Sequence, residues 1–242
     1  MKLDQAPSAG RCYPVARTEE LIPRRIAQVQ LLGREIALWR SDDGAVHAWE
    51  NRCPHRGVRL SLGTNTGTEL RCRYHGWRFN GDGRCTFIPS HPTQKPASTL
   101  RVGIYSTAVH SGLVWVSLDP EIAATTFLVR EDPHAVTLRS VFVAAPAAAI
   151  AKSLSHGYRI SAAPEAAATA VAVFDDLTLA APAAGRAPGV TFFLQPVDVM
   201  RTVIHGLVSP APDAHERLAV LRHHNTQLSL LRDALERTAA AP

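Results

Sequence analysis

A chain of 242 residues with 46% hydrophobic and 19% charged residues has the composition of a folded globular protein of one large or two small domains, which excludes a largely disordered chain. The opening residues, MKLDQAPSAG, have no apolar core of the signal-peptide kind, and no uninterrupted apolar run reaches about 18 residues, so a soluble cytoplasmic protein without a membrane partner is expected. The net charge of +5 is uneven, with 16 Lys+Arg against 10 Asp+Glu in residues 1–120, but neither a recognition helix nor an aromatic stacking platform goes with it, and nucleic acid is not an expected partner.

Residues 26–50, IAQVQLLGREIALWRSDDGAVHAWE, read as short strands broken by Gly33 and by the Asp42-Asp43-Gly44 turn, a strong hairpin signal. Two related motifs follow, Cys53-Pro54-His55-Arg56-Gly57 and Cys72-Arg73-Tyr74-His75-Gly76-Trp77, and after them a second turn, Asn80-Gly81-Asp82-Gly83. GLVWVSL at 112–118 reads as a buried strand, so residues 1–120 form an all-β domain with both motifs on loops between strands. Past Asp119-Pro120 the composition shifts, and residues 121–242 are expected as a second domain. There, alanine-rich tracts at 144–151, 162–172 and 180–187, read as helix and loop filler, alternate with strand-like runs such as VTFFLQPV and RTVIHGLVSP. Leu218, Leu221, Leu228 and Leu235 stand at helical spacing and predict a long amphipathic terminal helix over 213–240.

The chemistry lies in the two motifs, Cys53-x-His55, then 16 residues, then Cys72-x-x-His75. Zinc ribbons group their ligands as a Cys pair followed by a Cys or His pair, whereas each loop here supplies one thiolate and one imidazole, which suits a two-iron cluster better than zinc. If Cys53 and Cys72 hold one iron and His55 and His75 the other, two neutral imidazoles replace two anionic thiolates. An added electron then costs less, and the potential rises to roughly −150 to +300 mV. Gly57 and Gly76 let backbone N–H groups approach the sulfides closely. Trp77 and Tyr74 either shield such a cluster, donate a hydrogen bond towards it or belong to the core. Cys12 and Cys85 have no partner at ligand spacing and read as buried thiols. Arg52, Arg56, Arg59, Arg71, Arg73 and Arg78 crowd the motifs, either as a docking face for an acidic partner or as solvated side chains.

These motifs, with the surrounding GAVHAWENRCPHRGVRLSLG, RYHGWRFNGDGRCTFIP and GLVWVSLDP, resemble the Rieske domain of the large subunits of Rieske non-haem iron oxygenases, of the vanillate-demethylase and dicamba-monooxygenase type, over about half the chain. The resemblance implies a β-rich α+β protein, an N-terminal Rieske domain followed by a helix-grip domain of antiparallel sheet and long C-terminal helix. It implies a Rieske-type [2Fe-2S] cluster with Cys53 and Cys72 on the buried iron and His55 and His75 on the solvent-facing one.

The family's second domain also holds a mononuclear iron, on an Asp-x-x-His motif with another histidine four or five residues on, and that motif is absent from this sequence. The later histidines, His134, His156, His205, His215, His223 and His224, have neither the aspartate nor the spacing, and the domain reads as truncated. A mononuclear iron is therefore not expected in this chain. The leading expectation is an electron-transfer subunit fed by a reductase carrying flavin or an iron–sulfur centre. It would join, in a hetero-oligomer, an oxygenase subunit that bears the mononuclear iron and hydroxylates or demethylates a small organic substrate. Two alternatives stand beside it: a self-contained small monooxygenase using His156 with Glu165, Asp175, Asp176 or Asp213, and a non-catalytic redox-sensing or ligand-binding protein.

Overall fold

The computed structural model describes residues 10–122, 135–160, 171–175, 177–183, 188–210 and 212–239. They fall into two compact units, the first built from 10–109 and 114–122, the second from 110–113 and the residues from 135 onward.

In the first unit the strands are β1 (Cys12–Arg17), β2 (Ile26–Leu31), β3 (Arg34–Arg40), β4 (Val46–Glu50), β5 (Thr64–Asn65), β6 (Glu69–Arg71), β7 (Arg78–Asn80), β8 (Cys85–Phe87), β9 (Ile104–His110) and β10 (Leu113–Ser117). One six-stranded sheet has the order β1-β10-β9-β4-β3-β2, and a four-stranded sheet has the order β5-β6-β7-β8. The hairpin between β2 and β3 turns on Leu32 and Gly33, both at positive φ, closing directly on the Leu31–Arg34 pair. A two-residue loop of that hand matches the right-handed twist of the strands. The wider β3–β4 turn closes through Ser41 and Ala45, with Gly44 at φ +90°.

Alternation along β3 and β4 sends Ala37, Trp39 and Trp49 inward, where they meet Leu70 of β6, Phe79 of β7 and Cys85 of β8. Trp39 and Trp49 pack edge to face at 5.1 Å, an arrangement worth more than its buried area alone. Cys53 and Cys72 belong to this same core, which fixes where the two motif loops start.

The second unit contains β11 (Val136–Thr137), β12 (Val141–Val143), α1 (Ala147–Gly157), β13 (Ala172–Asp175), β14 (Thr178–Ala181), β15 (Gly189–Pro196), β16 (Thr202–Ser209) and α2 (Ala214–Ala239). Its antiparallel sheet runs β11-β16-β15-β14-β13, with β12 also on β16. The spine is the long β15–β16 ladder, in register from Gly189–Ser209 to Pro196–Thr202. Its apolar runs bury Phe192, Leu194, Ile204 and Val208. Asp213 caps α2, its Oδ1 accepting the backbone N–H groups of His215 and Glu216 at 2.9 and 2.8 Å, so the first orphan donors of the helix are satisfied.

Two details of the second half differ from expectation. Ala180 and Ala181, read as filler, lie in β14, because the ladder to β15 overrides alanine's weak strand preference. In α2, Leu218 is exposed, and the fully buried positions are His224 and Leu228. Leucine spacing alone missed a face that runs through a histidine. Residues 162–170 of the second alanine tract lie outside the described residues.

Candidate metal centre

The two motif loops are built alike. In the first, the Cys53 N–H donates to the Val58 carbonyl and the Gly57 N–H to the Cys53 carbonyl, at 2.9 and 2.8 Å; in the second, Cys72 donates to Trp77 and Gly76 to Cys72, at 2.8 and 3.1 Å. Both closing glycines are left-handed, Gly57 at φ +73° and Gly76 at +70°. A Cβ there is strained, which is why both motifs end in glycine. Within each loop the cysteine sulfur accepts backbone N–H groups two and three residues on, His55 and Arg56 for Cys53, Tyr74 and His75 for Cys72. Two short chains thus form matching nests for a negatively charged sulfur.

The loops bring the four predicted residues together in twos. The Cys53 thiol donates to the Cys72 sulfur, which raises Cys53 and lowers Cys72, and backbone N–H donation also lowers Cys72 against the opposing effect of burial. Both sulfurs are buried and neither is in a disulfide. At the outer end, His55 Nδ1 and His75 Nδ1 lie 3.0 Å apart. His55 sits below the usual imidazole value, first through lost solvation and then through the positive neighbours His75 and Arg56. A neutral ring is the form that binds metal.

Aromatic side chains hold the histidines in place. Trp77 stacks flat on His55, centroids 4.4 Å apart and planes 7° apart, while its other side packs on the core. Tyr74 is 61% exposed and lies over His75 at 3.8 Å, so it is a surface cover rather than a core residue. Cys85 is buried in the same core, hydrogen-bonded to the Phe87 carbonyl, and Cys12 is half-buried.

The arginines around the loops divide into two kinds. Arg59 forms a bidentate pair with Glu35, at 2.7 and 2.5 Å, and Arg78 lies over the Phe87 ring. Arg52 and Arg56 instead line a cavity beside His55, together with Arg101, which sequence spacing did not single out because it comes from a distant segment.

Among the described residues, no three His, Cys, Asp or Glu side chains converge on one point. The four loop residues stand as a sulfur pair and an imidazole pair. In the second unit, His156 is exposed and donates Nδ1–H to the Lys152 carbonyl of its own helix. His205 is buried between Gln195 and Ser140, His223 bonds the Arg159 carbonyl, and His224 bonds Tyr158. Asp213 serves as a helix cap and Asp175 lies on β13, while His134, Glu165 and Asp176 are outside the described residues.

Residues 11–105 match the model of the Rieske [2Fe-2S] domain. The chain is 50% identical over 107 residues to the oxidoreductase NdmD of Pseudomonas putida, 44% of this chain and 18% of that protein. It is 42% identical over 123 residues to a 4beta-methylsterol monooxygenase of Methylococcus capsulatus, 49% and 33% respectively. The matched part thus spans a third or less of these relatives. Similarity of fold extends further: apo dicamba monooxygenase superposes with a TM-score of 0.73 at 19% identity, covering 96% of this chain and 88% of that one. The QL mutant of NdmA of Pseudomonas putida CBB5 with theobromine gives 0.69 at 20% identity, covering 94% and 81%.

Proposed function

Residues 11–105 are a Rieske [2Fe-2S] domain in a chain related to the Rieske non-haem iron oxygenases, and on that footing we propose that it is the electron-transfer subunit of such an oxygenase system. The observation that carries the proposal is the sorting of four donors into a buried cysteine pair and a histidine pair nearer the surface, His55 half-buried and His75 exposed, by two matching loops. Cys53 and Cys72 hold the inner iron, His55 and His75 the outer one. A cluster so held supplies one-electron transfer, at a potential above that of an all-cysteine cluster.

The chain's own groups prepare that chemistry. Backbone N–H groups of residues 55, 56, 74 and 75 stabilise negative charge on the two sulfurs. Trp77 fixes the plane of His55, and Tyr74 covers one side of His75. The imidazole edges remain at the surface, the side from which a redox partner approaches.

The donor is a reductase with flavin or an iron–sulfur centre, drawn to the positive surplus of the first half. The acceptor is a mononuclear iron in a partner subunit, in a cytoplasmic hetero-oligomer that hydroxylates or demethylates a small organic substrate. The absence of the Asp-x-x-His motif from the sequence favours an acceptor outside this chain, and buried His205 and His224 already bond other side chains. Monooxygenase and demethylase names among the relatives support the reaction class. Iron and acid-labile sulfide analysis of the purified protein tests the reading: about two irons and two sulfides per chain are expected. A third tightly held iron per intact cluster overturns the split and favours a self-contained oxygenase.

A further inference from the structure

The cavity beside His55 has a volume of about 290 Å³, and its lining includes Arg52, Arg56 and Arg101 together with Glu50. Elsewhere in the described chain, arginines such as Arg17, Arg24, Arg59, Arg201 and Arg232 sit on carboxylates. The three around the cavity form no ion pair with any described residue, and the Arg101 guanidinium reaches only the Asp82 carbonyl, at 3.5 Å. Glu50 offers one carboxylate against three guanidinium groups, and its Oε2 lies towards Gly103. The two segments that carry the arginines are fixed to each other and to the sheet, Glu50 N–H to the Gly103 carbonyl and Val102 N–H to the Gly83 carbonyl, both at 2.8 Å. Three arginines thus line a small polar space with a surplus of positive charge, and planar guanidinium forks match an oxyanion.

We propose that this cavity binds a dissolved oxyanion of the phosphate or carboxylate class, tightly when the neighbouring cluster is oxidised and weakly when it is reduced. The inference rests on the assignment of Cys53, His55, Cys72 and His75 to the cluster. One electron from a reductant adds one negative charge next to the site, His55 and Cys53 being part of the cavity wall. The bound anion then leaves for solvent, with no bond made or broken in the protein. Because linkage is reciprocal, the anion in turn lowers the midpoint potential. Binding of an oxyanion would thus hold the cluster oxidised until a donor displaces it.

The test is a dithionite titration of the cluster-loaded protein at one pH and one ionic strength, with chloride replaced stepwise by inorganic phosphate and, separately, by acetate. Binding about tenfold weaker to the reduced form lowers the potential by about 59 mV at saturation. Arg56→Gln and Arg101→Gln are each expected to flatten the phosphate curve. Arg73→Gln removes the same charge from the second loop, outside the cavity, and should keep the shift. Arg101 is remote in sequence from the ligand loops, so its variant tests the site even if Arg56→Gln loads poorly. Equal potentials in chloride and phosphate, or a shift that survives in both cavity variants, overturns the proposal. A chain that never shows a Rieske spectrum overturns the cluster assignment instead. Calorimetry with phosphate then decides the site alone: binding lost in Arg101→Gln supports it, and no binding removes it.

Discussion

His75→Ala is expected to abolish the Rieske spectrum and to lower iron affinity by at least about 100-fold, the upper end of what even outer-shell changes cost. On the proposed assignment each iron would have two protein donors, so removing one imidazole would leave the outer iron with His55 alone. No other described His, Cys, Asp or Glu stands close enough to complete the set. Cys72→Ser should act as strongly, by removing a thiolate whose charge the backbone N–H groups of Tyr74 and His75 are placed to stabilise. His156→Ala should change neither spectrum nor iron content, because that ring is exposed and bonded within its own helix. Visible absorption and iron analysis of the three variants read the result. An unaltered cluster spectrum in His75→Ala refutes the ligand assignment.

The second unit should lose about 3 kcal/mol of stability as the pH falls from about 6.5 to about 4. His224 is fully buried in α2, with Nδ1 2.6 Å from the Tyr158 hydroxyl and Nε2 without a partner. Burial first, and the positive charge of His223 second, bring its pKa down to about 4. In that pH interval the unfolded chain takes up a proton that the folded chain refuses, so folding weakens with falling pH and the loss is complete below about 4. Tyr158 is raised by burial and keeps its proton throughout. The double variant His224→Leu with Tyr158→Phe removes both buried polar groups and should show a correspondingly shallower pH dependence. Both described α-helices lie in this unit, so urea unfolding followed by the far-UV helix signal reports on it. The same pH dependence in variant and parent would count against a neutral buried His224.

The first half was legible in the sequence because its signals are local. Gly33 and Asp42-Asp43-Gly44 mark turns by the backbone conformations glycine allows, and the Cys-His-Gly motifs prescribe loops whose closing residue has no Cβ to strain. The cavity arginines were only half legible. Arg52 and Arg56 flank a motif, but Arg101 joins them through the ladder of backbone bonds that brings residues 101–103 to residue 50. In the second half the decisive features are tertiary. The inward face of α2 passes through His224, a residue that hydropathy counts as polar, and Tyr158, from just beyond α1, makes its burial tolerable. Alanine carries no periodic signal strong enough to separate strand from helix, so Ala180 and Ala181 took their conformation from β15.

The central claim is that this chain carries electrons to an iron it does not itself hold. Turnover with purified components addresses it most directly, using the cluster-loaded chain, a reductase able to reduce it and a partner oxygenase subunit with an intact two-histidine, one-carboxylate iron site. Substrate oxidation is expected only when all three are present, with rapid reoxidation of the reduced chain by the partner. Substrate oxidation by this chain and the reductase alone would contradict the account and place an oxygen-activating iron within the chain itself.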